Sequence, residues 1–381
     1  MRIGVVTVHK APNYGANLQA YATWKFITNN GHYCEILDMS LQPEGERFPL
    51  SRPEYYQKNK EPFRIRIKLL ARKILVLFGV KKPIYIPPLI LPSAQRKFNA
   101  FNELINYSST YNTLEALYSQ PPQYDVYLTG SDQVWNPNSG RLRDVDLLSF
   151  ADSKQRISLS ASFGVNCISK EDKKKIKKEL YKFKSISVRE EAGKRIINDV
   201  LPRNDVEVLI DPTMLLTADE WDKVAKKPKQ LDNLKNKRYI LTYFLGNLSM
   251  DKKGKIEEIA QKNNCEIINI LDKNSPFYQT GPSEFLYLEK NAILICTDSF
   301  HSCVFSILYN RPFLVFQREG NVNKMNSRIE TLLNKFNLED REVNENITDD
   351  KLKYDYSQAY KILENERDKT KIFIKNALDI K

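Results

Sequence analysis

Histidine and cysteine are scarce in this sequence. Its 381 residues include 3 histidines and 5 cysteines, and no two cysteines have the Cys-x-x-Cys spacing of zinc and redox sites. The cysteines are odd in number and scattered, which argues against a disulfide framework. Long apolar runs are also missing, whereas a membrane-spanning helix needs roughly 18 such residues. We therefore expect a cytoplasmic protein that has neither a metal centre nor a transmembrane segment.

Two nucleotide-binding motifs are absent as well. Neither the Gly-x-Gly-x-x-Gly fingerprint of dinucleotide-binding folds nor a Walker A loop occurs in the chain. One tripeptide, Asp144-Val145-Asp146, matches the metal-binding Asp-x-Asp pattern of one class of glycosyltransferases. Because this tripeptide is common by chance and follows no clear strand, it is weak evidence for a metal-dependent enzyme.

The sequence is rich in positive charge. Its formal net charge is +12, which attracts anions such as nucleic acid, acidic lipid or phosphorylated metabolites. Many of the lysines lie in residues 171–184, where an apolar face at helical spacing predicts a solvated surface helix. No RNA-recognition, helix-turn-helix or zinc-finger pattern accompanies the charge, so nucleic acid is not a predicted partner.

Short β-branched and apolar runs alternate with helical patterns along most of the chain. This alternation predicts an α/β fold with parallel sheets and helices on both faces. The series breaks after Asp211-Pro212-Thr213, so we predict Rossmann-like domains at 1–213 and 214–345, then a helical segment at 346–381. The predicted strands are 3–8, 33–37, 126–129, 156–161, 185–188, 206–210, 239–245, 265–271, 292–297 and 313–316.

Residues 42–95 interrupt the first series and are predicted to form an irregular, basic insertion. Within it, residues 63–80 have an apolar face at helical spacing, flanked by arginines and lysines. Two interpretations remain open. The apolar face packs on the domain, or the helix makes a peripheral contact with anionic lipid on the inner face of the cell membrane.

Ligands of open α/β sheets bind beyond the carboxyl ends of the strands. The first strand leads into Asn13-Tyr14-Gly15-Ala16-Asn17, a turn and helix start that offers free amides to an anion. The strand at 126–129 leads to Asp132 and Trp135, two residue types that are common in sugar-binding sites. If both are exposed, the indole ring of Trp135 stacks on the sugar and the carboxylate of Asp132 accepts hydrogen bonds from its hydroxyls. Alternatively, Asp132 caps a short helix and Trp135 belongs to the core.

Two more strand ends carry ionisable side chains. Arg189 follows the strand at 185–188, and its planar fork matches a carboxylate or phosphate in two-point contact. A surface ion pair with a neighbouring glutamate is the alternative. His301 follows the strand at 292–297 and opens a helix, whose dipole lowers the histidine pKa and suits it to proton transfer. A structural histidine is the alternative there.

Three further cations surround the next strand-to-helix turn, at Arg318, Lys324 and Arg328. They either bind a multiply charged anion or are ordinary surface charges.

Taken in order, five short runs of the chain resemble the polysaccharide pyruvyl transferase family. The runs are Asn13-Tyr14-Gly15-Ala16-Asn17-Leu18-Gln19-Ala20, Gly130-Ser131-Asp132-Gln133-Val134-Trp135-Asn136, Ser187-Val188-Arg189-Glu190, Asp211-Pro212-Thr213-Met214-Leu215-Leu216 and Thr297-Asp298-Ser299-Phe300-His301. The resemblance implies a fold similar to GT-B type glycosyltransferases, with two Rossmann-like domains facing across a cleft. It also implies that the pyruvyl group of phosphoenolpyruvate is transferred to two hydroxyls of a sugar. The product would be a cyclic ketal of a capsule or exopolysaccharide.

The resemblance also implies roles for particular residues. His301 and Arg189 match positions near the donor, His301 as proton donor or phosphate contact and Arg189 as an anchor, and Asp132 is the candidate base. The other predicted donor contacts are Ser299 and three cations that the residues alone suggest, Arg318, Lys324 and Arg328. The predicted acceptor contacts are Asn13, Tyr14, Gly15, Asn17 and Trp135. Many members have arginine and leucine where this chain has Ser299 and Phe300, so one expected cation is missing.

Two other functions fit the same features. A nucleotide-sugar glycosyltransferase would have the same architecture, and a non-catalytic basic protein would bind nucleic acid or membrane through its charge. For the preferred function the predicted partners are phosphoenolpyruvate as co-substrate and a sugar acceptor, either free or linked to polyprenyl diphosphate. No cofactor is predicted.

Overall fold

The computed structural model describes residues 1–39, 91–235, 238–317, 327–343, 352 and 354–379. The strands of this part of the chain are β1 Arg2–Val6, β2 Tyr33–Ile36, β3 Val126–Thr129, β4 Arg156–Ala161, β5 Ser185–Val188, β6 Glu207–Val208, β7 Tyr239–Tyr243, β8 Glu266–Asn269, β9 Leu294–Thr297 and β10 Phe313–Val315. Its helices are α1 Tyr14–Asn29, α2 Pro92–Asn102, α3 Leu114–Ser119, α4 Lys170–Leu180, α5 Glu191–Asn198, α6 Ala218–Asp222, α7 Met250–Lys262, α8 Pro282–Asn291, α9 Phe300–Leu308, α10 Ser327–Phe336 and α11 Ser357–Ala377.

The strands form two parallel sheets. The first has the order β2-β1-β3-β4-β5-β6 and the second the order β10-β9-β7-β8, and neighbouring strands pair in parallel throughout both. In the first sheet the chain adds β2 on one side of β1 and β3 on the other, and in the second it adds β8 on one side of β7 and β9 on the other. Ligands of such sheets bind at these switch points. The predicted α/β fold with two Rossmann-like units of GT-B type is confirmed.

Both faces of the first sheet are covered, which explains why its strands are apolar without alternation. In β3, Val126 and Leu128 join an apolar cluster that contains residues of α1, whereas Tyr127 joins a second cluster on the opposite face. Every residue of β4 is buried. The continuous apolar runs of the sequence therefore mark central strands of a sheet with helices on both sides.

Helix α1 begins directly after its N-cap residue, Asn13. The side chain of Asn13 accepts a hydrogen bond from the amide of Ala16 at 3.1 Å and so satisfies one of the free amides of the first turn. Asn17 then donates to the carbonyls of Ala11 at 2.6 Å and Asn13 at 2.7 Å. These bonds fix the turn between β1 and α1.

Several structural connections join the two sheets. Tyr14 of α1 stacks on Phe285 of α8 with 4.7 Å between ring centroids, and its hydroxyl donates to the carbonyl of Thr280 at 3.0 Å. The segment after β6 connects the first sheet to the second. The C-terminal helix α11 returns to that segment, where Arg367 donates to the carbonyls of Met214 at 2.7 Å and Leu216 at 2.8 Å.

Most of the predicted insertion at 42–95, including the basic helix at 63–80, lies outside the described residues. Among the helices that the structure describes, none is long and apolar enough to cross a membrane.

Candidate active site

The loop after β3 is held close to β4 and points its carboxylate inward. Gly130 has φ 111°, and a Cβ at this position would overlap the carbonyl oxygen of Leu159, so only glycine fits. Asp132 follows with φ 61°, in the left-handed region. Between them, the Ser131 hydroxyl donates to Asp211 at 2.9 Å. These features restrict the backbone conformation of the loop, which places Asp132 beside the end of β5.

Arg189 is the first residue after β5, and its side chain is 1% exposed. One terminal nitrogen donates to Asp211 Oδ2 at 2.5 Å and the other to Asp132 Oδ1 at 3.2 Å. Its guanidinium lies 4.4 Å above the ring of Phe300, a cation–π contact with the second half of the molecule. Its Nε is buried and has no hydrogen-bond partner in the described part of the chain.

Asp211, which follows β6, lies at the centre of the cluster. Besides Arg189 and Ser131, it accepts hydrogen bonds from the amide and hydroxyl of Thr213 at 3.0 and 2.7 Å. Burial alone would raise the pKa of its carboxyl, but the Arg189 charge and the Thr213 bonds outweigh it and lower that pKa to about 2. Asp211 is therefore ionised at all physiological pH values.

His301, the second residue of α9, also lies near Asp211. Its Nε2 is 3.8 Å from Asp211 Oδ2, too far for a hydrogen bond, and this buried atom has no partner among the described residues. Its Nδ1 faces Gly15 of α1 so closely that a Cβ on Gly15 would overlap the ring. The imidazole of one half thus packs directly on the backbone of the other.

The protonation states of the cluster follow from burial and charge. Burial is the main cause that lowers the pKa of His301 to about 4, and the Arg189 and Arg328 charges add to it against the pull of Asp211. Burial also raises the pKa of Asp132, but Arg189, His301 and Arg328 outweigh it and leave that pKa below its ordinary value. At neutral pH the site therefore combines a neutral imidazole with two carboxylates.

Of the four other predicted donor residues, the structure describes two, Arg328 and Ser299. Arg328, in the first turn of α10, is buried and acts electrostatically on both Asp132 and His301. Ser299 is buried as the N-cap residue of α9, with its amide donating to Thr297 Oγ1 at 3.0 Å. Arg318 and Lys324 lie outside the described residues.

Most of the predicted acceptor side chains are used to hold the fold. Tyr14 and Asn17 are buried, and their hydrogen bonds and those of Asn13 fix α1, as described above. Trp135 is fully buried against Phe163 and donates its indole N–H to the carbonyl of Asp146 at 3.1 Å. A ring in the core offers no face to a sugar, so the core alternative describes Trp135. Gly15 is the acceptor residue that the structure brings to the cluster.

Two residues near the cluster were not predicted as site residues. Asp211 lay in one of the five runs, and its position after a predicted strand was the available signal. Arg141 follows no strand, and its position was not predictable. It lies in the same loop as Asp132 and acts electrostatically on it, and its Nε and Nη2 are buried without a hydrogen-bond partner in the described residues.

The site is thus a buried cluster at the junction of two Rossmann-like units, with a neutral histidine, paired carboxylates and arginines. Such a set can bind an anion and transfer a proton. The family model for polysaccharide pyruvyl transferase matches residues 13–320. The chain belongs to this family and is a transferase of polysaccharide biosynthesis.

Solved structures similar to this chain are UDP-GlcNAc 2-epimerases at low sequence identity. The enzyme from Neisseria meningitidis is 12% identical with a TM-score of 0.45, covering 100% of this chain and 98% of its own. The enzyme from Rickettsia bellii is 13% identical with a TM-score of 0.45, covering 99% and 96%. No curated protein matches the chain significantly.

Proposed function

We propose that this protein transfers the pyruvyl group of phosphoenolpyruvate to two hydroxyls of a sugar, forming a cyclic ketal of a capsule or exopolysaccharide and releasing phosphate. The observation that carries the proposal is the pair of buried, unpartnered nitrogens at the junction, Arg189 Nε and His301 Nε2, which flank the same carboxylate. Phosphoenolpyruvate needs both a cationic anchor and a proton donor, and these two side chains supply them in one place.

The reaction divides into an addition and a substitution. In the addition, C3 of the enol phosphate takes a proton and C2 forms a bond to the first hydroxyl oxygen, whose proton goes to a base. In the substitution, the other hydroxyl oxygen bonds to C2, the C2–O bond to phosphate breaks, and the proton of this hydroxyl leaves with the phosphate. The proton gained by C3 balances the one lost by the first hydroxyl, and neither step transfers electrons to or from an external oxidant or reductant.

His301 is the proposed proton donor to C3. In the free protein burial keeps the imidazole neutral, since its pKa is lowered to about 4. A bound dianion or trianion opposes the arginine charges that help to lower this pKa, so donor binding favours the imidazolium form. His301 is thus charged as an acid when the donor is present. A positioned acid of this kind contributes roughly a hundred- to ten-thousand-fold in rate.

Asp132 is the proposed base for the first hydroxyl. It is ionised at neutral pH because positive neighbours lower its pKa, and its side chain is 13% exposed, so an acceptor can reach it from solvent. Its bond to Arg189 fixes the direction of the carboxylate. The acceptor is proposed to be a sugar, either free or linked to polyprenyl diphosphate, and the reaction needs no cofactor.

A labelling experiment tests the reaction. The protein is incubated in heavy water with phosphoenolpyruvate and a panel of sugar acceptors, and phosphate and the product methyl group are followed by NMR. We expect stoichiometric phosphate release and a ketal methyl group that carries one deuterium from solvent. Parallel incubation with UDP-sugars tests the glycosyltransferase alternative, and nucleotide release without any turnover of phosphoenolpyruvate would replace the proposal by that alternative.

A further inference from the structure

Arg141 lies in a loop that the fold holds rigidly. Its amide donates to the carbonyl of Asn136 at 3.2 Å, and the next residue, Leu142, has φ 66° and donates back to the carbonyl of Val134 at 3.1 Å. Further on, the carbonyl of Asp146 accepts bonds from Thr129 Oγ1 at 2.8 Å and from the indole of Trp135. The loop therefore holds Asp132 and the base of the Arg141 side chain in one fixed arrangement.

The nearest carboxylate does not satisfy Arg141. Asp146 is fully buried and is engaged by Arg143, whose Nε and Nη2 donate to its two oxygens at 2.8 and 3.0 Å and whose amide donates at 3.0 Å. Arg141 Nη2 is 3.4 Å from the same carboxylate without forming a hydrogen bond. One carboxylate thus faces two guanidinium groups, and both of its oxygens accept hydrogen bonds from Arg143 rather than from Arg141.

The unpartnered donors of Arg141 are the pair that recognises an oxyanion. Nε and Nη2 lie on one edge of the guanidinium plane and give two parallel N–H bonds, which match two oxygens of a carboxylate or phosphate. Arg143 uses the same edge on Asp146. A buried donor pair without a partner is costly, which indicates that a ligand completes it.

The remaining charges of the site make a further anchor necessary. Arg189 already faces three carboxylates, those of Asp211, Asp132 and Glu190, so its single charge cannot also balance both acidic groups of the donor. The proposed donor has two acidic groups. The side chain of Arg141 is 20% exposed, compared with 1% for Arg189 and 9% for His301, so Arg141 lies nearer to solvent.

We propose that Arg141 binds the phosphate group of the donor at the solvent side of the site, a role that rests on the proposed function and adds a residue to it. The phosphate must leave to solvent once the second hydroxyl has displaced it, whereas the carboxylate stays with the product. The outer anchor therefore fits the phosphate, and the deeper Arg189 fits the carboxylate.

Separate titrations with phosphate and with pyruvate, the two parts of the donor, distinguish the role of Arg141 from that of Arg189. Inorganic phosphate and pyruvate are titrated by calorimetry into the full-length protein and its Arg141→Gln and Arg141→Lys variants. We expect Arg141→Gln to weaken phosphate binding at least tenfold and leave pyruvate binding unchanged, with partial recovery in Arg141→Lys. Arg96→Gln, at an exposed position on α2, is the control with the same loss of charge and should bind both anions as the wild type does.

Any of three results would overturn this role. Unchanged phosphate affinity in Arg141→Gln, or a loss confined to pyruvate, would remove Arg141 from the phosphate site, as would a wild-type protein that binds no phosphate. Failure of the proposed function has a different signature. In that case the wild type would bind phosphate through Arg141 and yet release none from phosphoenolpyruvate with any acceptor.

Discussion

At the scale of single residues, the contact between Gly15 and His301 sets the position of the imidazole. A methyl group on Gly15 would overlap Nδ1, so Gly15→Ala must displace the ring or the helix that carries it. We expect phosphate release from phosphoenolpyruvate to fall at least a hundredfold, because a proton donor moved by about 1 Å loses its alignment. Circular dichroism and the rate of phosphate release measure the effect.

Gly254→Ala is the matched control for this prediction. Gly254 lies within α7, and no atom lies within 4 Å of a Cβ built there. Alanine at this position should leave the activity unchanged and stabilise the helix by about 0.5–1 kcal/mol. If Gly15→Ala were as active as the wild type, the position of His301 would not matter for the reaction.

Arg189 tests a different property, the shape of the cation. Arg189→Lys keeps the charge but replaces the planar fork by a single ammonium nitrogen, which cannot reproduce the bonds that two separate terminal nitrogens make to Asp132 and Asp211. We expect the affinity for phosphoenolpyruvate to fall at least tenfold in calorimetric titration. Arg203→Lys, at an ion pair with Asp205 away from the cluster, is the control. Equal donor affinity in Arg189→Lys and the wild type would contradict the anchoring role.

The site shows what the sequence could reveal about single residues. His301, Arg189 and Asp132 follow strands that were recognised from their apolar runs, so their meeting at the sheet edges was predictable. The position of Arg141 was not predictable. It depends on a turn in which Leu142 has a left-handed backbone conformation and its amide donates to the carbonyl of Val134. No local pattern predicts such a turn at leucine.

At the scale of elements, the order of strands and helices was predicted well because nearly every strand is buried on both faces. The predicted strands contain most of each observed strand, and the differences lie at their ends. The runs at 206–210 and 265–271 are longer than β6 Glu207–Val208 and β8 Glu266–Asn269. Apolar residues after these strands pack in the core as loop, and periodicity alone does not separate the two cases.

Helix α11 is an element whose position the sequence did not show. It packs across the segment that joins the two sheets, where Arg367 donates to the buried carbonyls of Met214 and Leu216. Arg367→Ala leaves both carbonyls without a partner, and we expect it to lower the free energy of unfolding by about 2–4 kcal/mol. Urea denaturation followed by fluorescence measures the change.

Lys371→Ala on the same helix is the control for Arg367→Ala. Its exposed ion pair with Asp368 should contribute less than about 0.5 kcal/mol. Equal stabilities of the two variants would mean that α11 contributes little to joining the sheets.

At the scale of the whole molecule, the buried histidine makes stability depend on pH. The pKa of His301 is about 4 in the folded protein and about 6.5 when exposed, so between these values the unfolded chain binds the extra proton. Stability therefore rises with pH through this window and is lost as the pH falls from 6.5 towards 4. The full effect is about 3 kcal/mol, at roughly 1.4 kcal/mol per pKa unit.

Replacement of the histidine isolates this contribution. In His301→Asn the decrease in stability between pH 6.5 and 4 should be smaller than in the wild type by about 3 kcal/mol. Asp211 does not obscure the comparison, because its pKa of about 2 confines its own loss of stability to more acidic solution. Parallel curves for the two proteins in urea unfolding at several pH values would show that His301 is not buried in neutral form.

The central position of Asp211 has a consequence for how the enzyme is made. In the described part of the chain, the residues that donate hydrogen bonds to this carboxylate, Ser131, Arg189 and Thr213, precede or closely follow it, whereas His301 is translated some ninety residues later. We therefore expect the first half to form these bonds during synthesis, before the second half exists. Under the proposed function, the site becomes complete only when the second half folds and places His301 beside Arg189 and Asp211.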